Sequence, residues 1–242
     1  MNKKNRLLLK TRNDIPFIEG RVSIHQPTIN EIAYISEDNF HVGIRFLALN
    51  KFEIQEGKLD LENLSDFDIL LAMLQDKSGL QYKMKLTMVL TLLFPNFNVF
   101  YEKDKILLKN DMEVKEINNR NFPTFKNIIV DMFCLEEEVK QRFNPKDGRA
   151  KKIAEKLEKG RREREKKKGK SVNENISIYE YYISVLSVGE NKTWNDLLEY
   201  TVPQLTDEFK RFERKVAYDQ YAAAAMAGAT GLEEVTHWMV DE

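Results

Sequence analysis

Three histidines and one cysteine are the side chains of this 242-residue sequence best suited to metal binding or nucleophilic attack. His25, His41 and His237 stand far apart, and none has another His or Cys at zinc-ligand spacing. Each therefore reads as a surface or helix-end histidine, and a metal- or thiol-dependent enzyme would need these residues and Cys134 to converge in space. Cys134 lies in the apolar run Ile128-Ile129-Val130-Asp131-Met132-Phe133-Cys134-Leu135, with no sequence neighbour that would lower its pKa. It is expected to be a buried structural thiol. A single cysteine forms no internal disulfide, which fits synthesis at a reducing site.

Acidic groups such as Asp66 with Asp68, or Glu136-Glu137-Glu138, have the simpler roles of helix-start charges and solvated faces. The sequence has no P-loop, no dinucleotide-binding glycine pattern, no HExxH and no GxSxG. The reading is a non-enzyme with no cofactor and no metal.

Charge is unevenly distributed. The chain carries a net charge of −1, yet residues 146–170 hold 13 Lys or Arg against 5 Asp or Glu. That local +8 leaves −9 on the remainder, a basic arm attached to an acidic body. Three readings of the arm stay open: a solvated helix and linker, a dock for an acidic protein surface including the chain's own body, or a contact with nucleic acid. The last would neutralise phosphates without base stacking, because no aromatic residue is interleaved, so it would be non-specific and salt-sensitive. No stretch reaches the length of a transmembrane helix, and Leu7-Leu8-Leu9 is too short for a signal-peptide core.

The elements that would position these residues are mostly helical. Leu205, Phe209, Phe212 and Val216 recur at spacings of four and three, placing one apolar stripe on a long helix from Pro203 to about residue 227. Pro203 suits a first helical turn, the Ala222-Ala223-Ala224-Ala225 run favours helix, and Gly228 reads as the left-handed residue that ends it. Thr193 with Asp196 has capping-box spacing and opens a shorter helix upstream. A terminal turn carrying Leu232, Val235 and Trp238 is expected to fold back and bury Trp238.

Earlier in the chain, residues 1–22 read as an extended N-terminal arm or edge strand, and residues 23–145 as a helical domain with a small β-hairpin. A helix is expected from His25 with Ile29, Ile32 and Ile35 on one face, and another over residues 40–49. Ser65 with Asp68 opens a third, burying Phe67, Leu70, Leu71 and Leu74. Residues 80–94 are the most apolar stretch and form a central helix stopped by Pro95. Residues 97–101, 105–108 and 112–117 carry the β signal. A helix from Pro123 or Thr124 then buries Phe125, Ile128, Ile129, Met132 and Phe133. Residues 146–175 form the basic helix and linker and 176–242 the C-terminal helical region; whether the two flanks share one core stays open. The class is mainly α with a minor α+β component. Met84, Met88, Met226 and Met239 are read as core filling in preference to an adaptable surface.

Three blocks resemble a known family: His25-Gln26-Pro27-Thr28-Ile29-Asn30-Glu31-Ile32, Leu64-Ser65-Asp66-Phe67-Asp68-Ile69-Leu70, and residues 194–238 with their Leu-Glu-Tyr-Thr helix, Phe209-Lys210-Arg211-Phe212 and terminal Trp. Their order resembles that of tail-gene-cluster proteins of tailed bacteriophages and of prophages in Gram-positive hosts. These are regarded as tail or baseplate assembly proteins, similar in kind to the hub-assembly chaperones of large contractile-tailed phages. The resemblance spans most of the chain with the basic arm as a variable insert, and it brings no catalytic residues.

It implies binding to phage tail or baseplate proteins in the host cytoplasm, with or without retention in the virion tail. The expected partner contacts are Phe209, Phe212 and Val216 on the long helix, with Arg149, Lys152, Arg161, Arg162 and Arg164 on the arm. The alternative is a nucleic-acid-associated accessory protein acting through residues 146–170. The client and the oligomeric state stay open, and no membrane partner is expected.

Overall fold

The computed structural model of the chain describes residues 3–18, 22–50, 64–75, 79–135, 177–231 and 235–239. Four of its helices begin where a Ser or Thr faces a Glu, Asp or Gln three residues on. Such a pair satisfies two backbone N–H groups that the first turn leaves without partners. Thr28 and Glu31 start α2 (Ile29–Ile35), Ser65 and Asp68 start α4 (Asp66–Gln75), Thr193 and Asp196 start α8 (Trp194–Leu198), and Thr201 and Gln204 start α9 (Val202–Met226). The other helices are α1 (Lys3–Lys10), α3 (Glu37–Leu47), α5 (Leu80–Leu93), α6 (Phe122–Met132) and α7 (Ile178–Gly189).

Two antiparallel sheets complete the described residues: β1 (Ile15–Phe17) with β2 (Val22–Ile24), and β3 (Asn98–Tyr101), β4 (Ile106–Lys109) and β5 (Val114–Ile117) in that order. The fold is mainly α with minor antiparallel β, as the sequence indicates. Residues 1–135 and 182–242 group as one compact unit and residues 136–181 as another, of which only 177–181 are described.

α5 is the spine of the first unit. Leu86, Val89, Leu90 and Leu93 line one side of it and are all fully buried. α3 lies against that helix at Gly43, where a Cβ would stand 2.5 Å from Val89 Cγ2 and 3.0 Å from the Lys85 carbonyl. Both distances are too short for an alanine unless one helix shifts. Beside α5, the rings of Phe17, Phe94, Phe122 and Phe125 pack with centroids 5.4–6.4 Å apart. The three-stranded sheet turns Ile106, Leu108 and Ile117 inward, the period-two alternation of a half-buried sheet. Tyr101 anchors the sheet to α5: its hydroxyl lies 3.0 Å from Thr87 Oγ1, and the Lys83 ammonium stands 5.0 Å from its ring centroid. Burial pushes the Tyr101 phenol up to about 12.

The N-terminal segment supplies the edge strand of the sequence reading, as β1, but is not an extended arm. Lys3–Lys10 is helical, and Leu9, Ile15 and Phe17 are core residues. Side chains from elsewhere in the chain hold the segment in place. Gln26 is fully buried and donates from Nε2 to the carbonyls of Leu8 and Asn13, while Gln204 donates to the Lys10 carbonyl. Arg12 pairs with Glu199 at 2.9 Å. Pro16 faces solvent on β1, an edge position that a residue without an N–H tolerates.

Helix starts also differ slightly. α2 begins at Ile29 and not at His25, because residues 25–28 run alongside other chain, with the His25 N–H donating to the Leu93 carbonyl at 2.9 Å. α3 begins at Glu37, earlier than the residue 40 expected. Thr28 and Thr201, each at a helix start, pair in an antiparallel bridge, and the Ile29 N–H donates to Tyr200 O at 2.9 Å. The two flanks of the basic arm are thereby joined through the ends of α2 and α9.

Burial alone would push the Glu31 carboxyl up, but the Thr28 backbone N–H, the His25 ring and the Thr28 hydroxyl outweigh it and hold its pKa below the ordinary 4.5. A carboxylate depressed in the folded state stabilises the fold fully above its unfolded pKa, and that contribution is lost as pH falls through the folded value. Stability should therefore fall below about pH 4.5, with a shallower slope in Glu31→Gln, measured by urea unfolding across that range. Thr28→Ala should cost about 1 kcal/mol at neutral pH through loss of the cap.

Candidate protein-binding face

The long helix holds its expected apolar residues in unequal settings. Phe209 is buried and stacks on Tyr182 with centroids 4.0 Å apart, so it belongs to the core and is not offered to a partner. Phe212 is half-buried, its ring so close to Gly189 that a Cβ there would come within 2.2 Å of it; Val216 is also half-buried. Phe209→Ala should destabilise by about 3 kcal/mol, as loss of a buried ring does, measured as a drop in the urea midpoint. Arg149, Lys152, Arg161, Arg162 and Arg164 lie outside the described residues, as does the rest of the basic arm.

α9 runs 25 residues, and its fully buried positions stop at Phe209. Gly228 follows it with φ +82°, ending the helix as its sequence position implied. The chain returns far enough for the His237 ring to pack edge-on against Tyr218 at 4.6 Å, while Trp238 is half-buried rather than buried.

The groups that could do chemistry are engaged in holding elements together. The His25 ring sits between Asp14, 3.1 Å from Nδ1, and Glu31, 3.2 Å from Nε2, and so joins the start of β1 to the start of α2. His41 lies 3.1 Å from Glu37 one turn back on α3. The Ser65 hydroxyl, and then the Asn119 amide against partial burial, hold Asp68 below the ordinary carboxylate range. Lys126 Nζ reaches Asp66 and the Leu49 carbonyl, each at 2.8 Å. Partial burial works against the charge of Lys192, but Glu208, Glu190 and the Tyr200 hydroxyl more than offset it and raise its pKa.

Cys134 is an exposed residue with φ +50°, contrary to the buried thiol expected, because the chain turns out of α6 there. Partial shielding of its thiol, which lies near Thr206, Asp207 and Lys210, pushes its pKa up and leaves it a poor nucleophile. Among the described residues, no group of three His, Cys, Asp or Glu is placed to hold a metal ion, and no helix is long and apolar enough to cross a membrane.

The face that stands out is the outer side of α5. Leu80, Met84 and Met88 recur every fourth residue and are 64%, 57% and 39% exposed. Met73, also partly exposed on α4, has its carbonyl packed against Gly79 at the start of α5. The ridge from residue 80 to 88 is about 12 Å long at 1.5 Å per residue. It is open because α3 covers the Gly43 and Phe46 side, with Phe46 against Tyr82 at 4.9 Å, and the sheet covers the Lys83 and Thr87 side. Among the described residues, no element covers the third side.

Met84 and Met88 are thus surface residues and not core filling; Met226 and Met239 are exposed as well. The sequence favoured core filling for Met84 and Met88 over an adaptable surface because residues 80–94 are the most apolar stretch of the chain. The same signal fits a buried helix with one side left for a partner. Neither the protein families nor the curated proteins nor the solved structures yield a match to this chain.

Proposed function

We infer that the protein is a non-enzymatic binding protein that holds an apolar segment of another protein during assembly of a bacteriophage tail or baseplate. The single observation that carries the binding role is the open face of α5. A central helix of the fold presents three large apolar side chains on successive turns, on a support made rigid by Leu86, Val89, Leu90 and Leu93 beneath it. Contiguous apolar surface of this kind marks interaction sites in folded proteins. Methionines suit the task, since an unbranched, polarisable side chain adapts to varied partner surfaces.

The phage setting rests on the resemblance carried by residues 25–32, 64–70 and 194–238. The three blocks include the capped starts of α2, α4 and α9, so they are segments that organise the fold. Action in the host cytoplasm during assembly follows from that setting.

The test is purification of the tagged chain, with nuclease treatment, from cells producing phage particles, and identification of co-purifying chains by mass spectrometry. Recovery of tail-tube, tape-measure or baseplate proteins is the expected result. Recovery only of partners that nuclease removes would overturn the reading and shift the function to residues 146–170.

A further inference from the structure

We propose that the α5 face receives an acidic amphipathic helix from the partner protein, its apolar side on Leu80, Met84 and Met88 and its carboxylates beside Lys83 and Lys85. The proposal rests on the binding role argued above and adds the chemistry of the occupant. Three observations on the helix carry it.

First, the ridge repeats every fourth residue over two turns, which matches the i, i+3, i+4, i+7 apolar side of a partner helix. Second, Lys83 and Lys85 directly flank Met84 in sequence, so at 100° per residue they stand on opposite sides of the ridge. Third, α5 carries no acidic residue along its 14 positions to neutralise them. Lys83 already lies over the Tyr101 ring, which fixes its ammonium on the sheet side of the ridge. Among the described residues, no carboxylate stands within ion-pairing distance of Lys85.

An apolar ridge with a cation on either flank favours a segment whose apolar side is bordered by Asp or Glu. It disfavours one bordered by Lys or Arg, since like charges at a rim are repulsive. The face thereby discriminates between partner helices of equal hydrophobicity. The basic arm of a second copy of this chain is a poor occupant for the same reason.

The experiment uses the full-length chain and two fluorescein-labelled model peptides with identical leucines at i, i+3, i+4 and i+7, one with Glu and the other with Lys at the outer positions. Fluorescence anisotropy at low salt should show the Glu peptide binding about tenfold tighter than the Lys peptide, with the difference shrinking as salt screens the rim. Lys83→Glu/Lys85→Glu should reverse the preference, and Lys83→Gln/Lys85→Gln should remove it. A circular-dichroism melt of each variant establishes that it is folded. Met84→Asp should weaken both peptides together.

Equal affinity for the two peptides, tighter binding of the Lys peptide, or a preference unchanged by the charge reversal would each overturn the proposal. Those results would leave the binding role standing if Met84→Asp still abolishes capture of the partner from phage-producing cells. Capture that survives Met84→Asp would defeat the binding role itself.

Discussion

Met84→Asp/Met88→Asp should abolish capture of the partner protein while lowering the stability of the free chain by only about 1–2 kcal/mol, from the poorer helix propensity of Asp and the covered part of Met88. Both side chains already reach solvent, Met84 more fully than Met88. A carboxylate at either position therefore loses little hydration in the free protein and leaves no cavity. In a complex the same carboxylates would be buried under an apolar partner surface with nothing to pair with, and Asp is a poor fit for a pocket shaped by methionine. Stranding even one such group costs several kcal/mol, so a complex of micromolar affinity would fall below detection. Circular dichroism and urea unfolding establish the fold, and co-purification reads the binding. A variant that is folded and still recovers the partner in full would remove α5 from the account.

Phe125→Ala should have the opposite profile, with a loss of about 3–5 kcal/mol in unfolding free energy and no specific effect on binding beyond the fraction unfolded. Phe125 is fully buried, and its ring meets Phe17 at 5.4 Å, Phe94 at 5.8 Å and Phe122 at 6.3 Å. Removing it strips contacts from β1, from the end of α5 and from the start of its own helix at once, leaving a cavity that three anchored rings cannot collapse to fill. Domains of this size are stable by about 5–15 kcal/mol, so the variant should unfold at markedly lower urea. A loss under about 1 kcal/mol would mean the aromatic cluster is not the packed core that its ring distances imply.

The sequence shows clearly those elements whose determinants are local. Ser65 with Asp68 and Thr193 with Asp196 mark their helix starts because the capping partners are three residues apart. Gly228 marks the end of α9, and alternation marks β3, β4 and β5. Phe67, Leu70, Leu71 and Leu74, like Phe125 and Ile129, follow helical spacing into the core.

What misleads is whatever depends on distant chain. The N-terminal segment looks like an arm because the groups that hold it, Gln26, Gln204 and Glu199, are remote in sequence. Phe209 and Met84 exchange their expected roles for a related reason. Periodicity defines a face but does not say whether another element covers it; Tyr182 covers Phe209, and nothing described covers Met84.

The measurement that tests the account most directly is site-specific photo-crosslinking in phage-producing cells. A benzophenone amino acid would replace Met84 in one strain and Arg120, an exposed residue beyond the three-stranded sheet, in another. The account predicts a crosslink from position 84 to a tail or baseplate protein and none from position 120. A functional protein that gives no crosslink from position 84, or the same crosslinks from both positions, would contradict it.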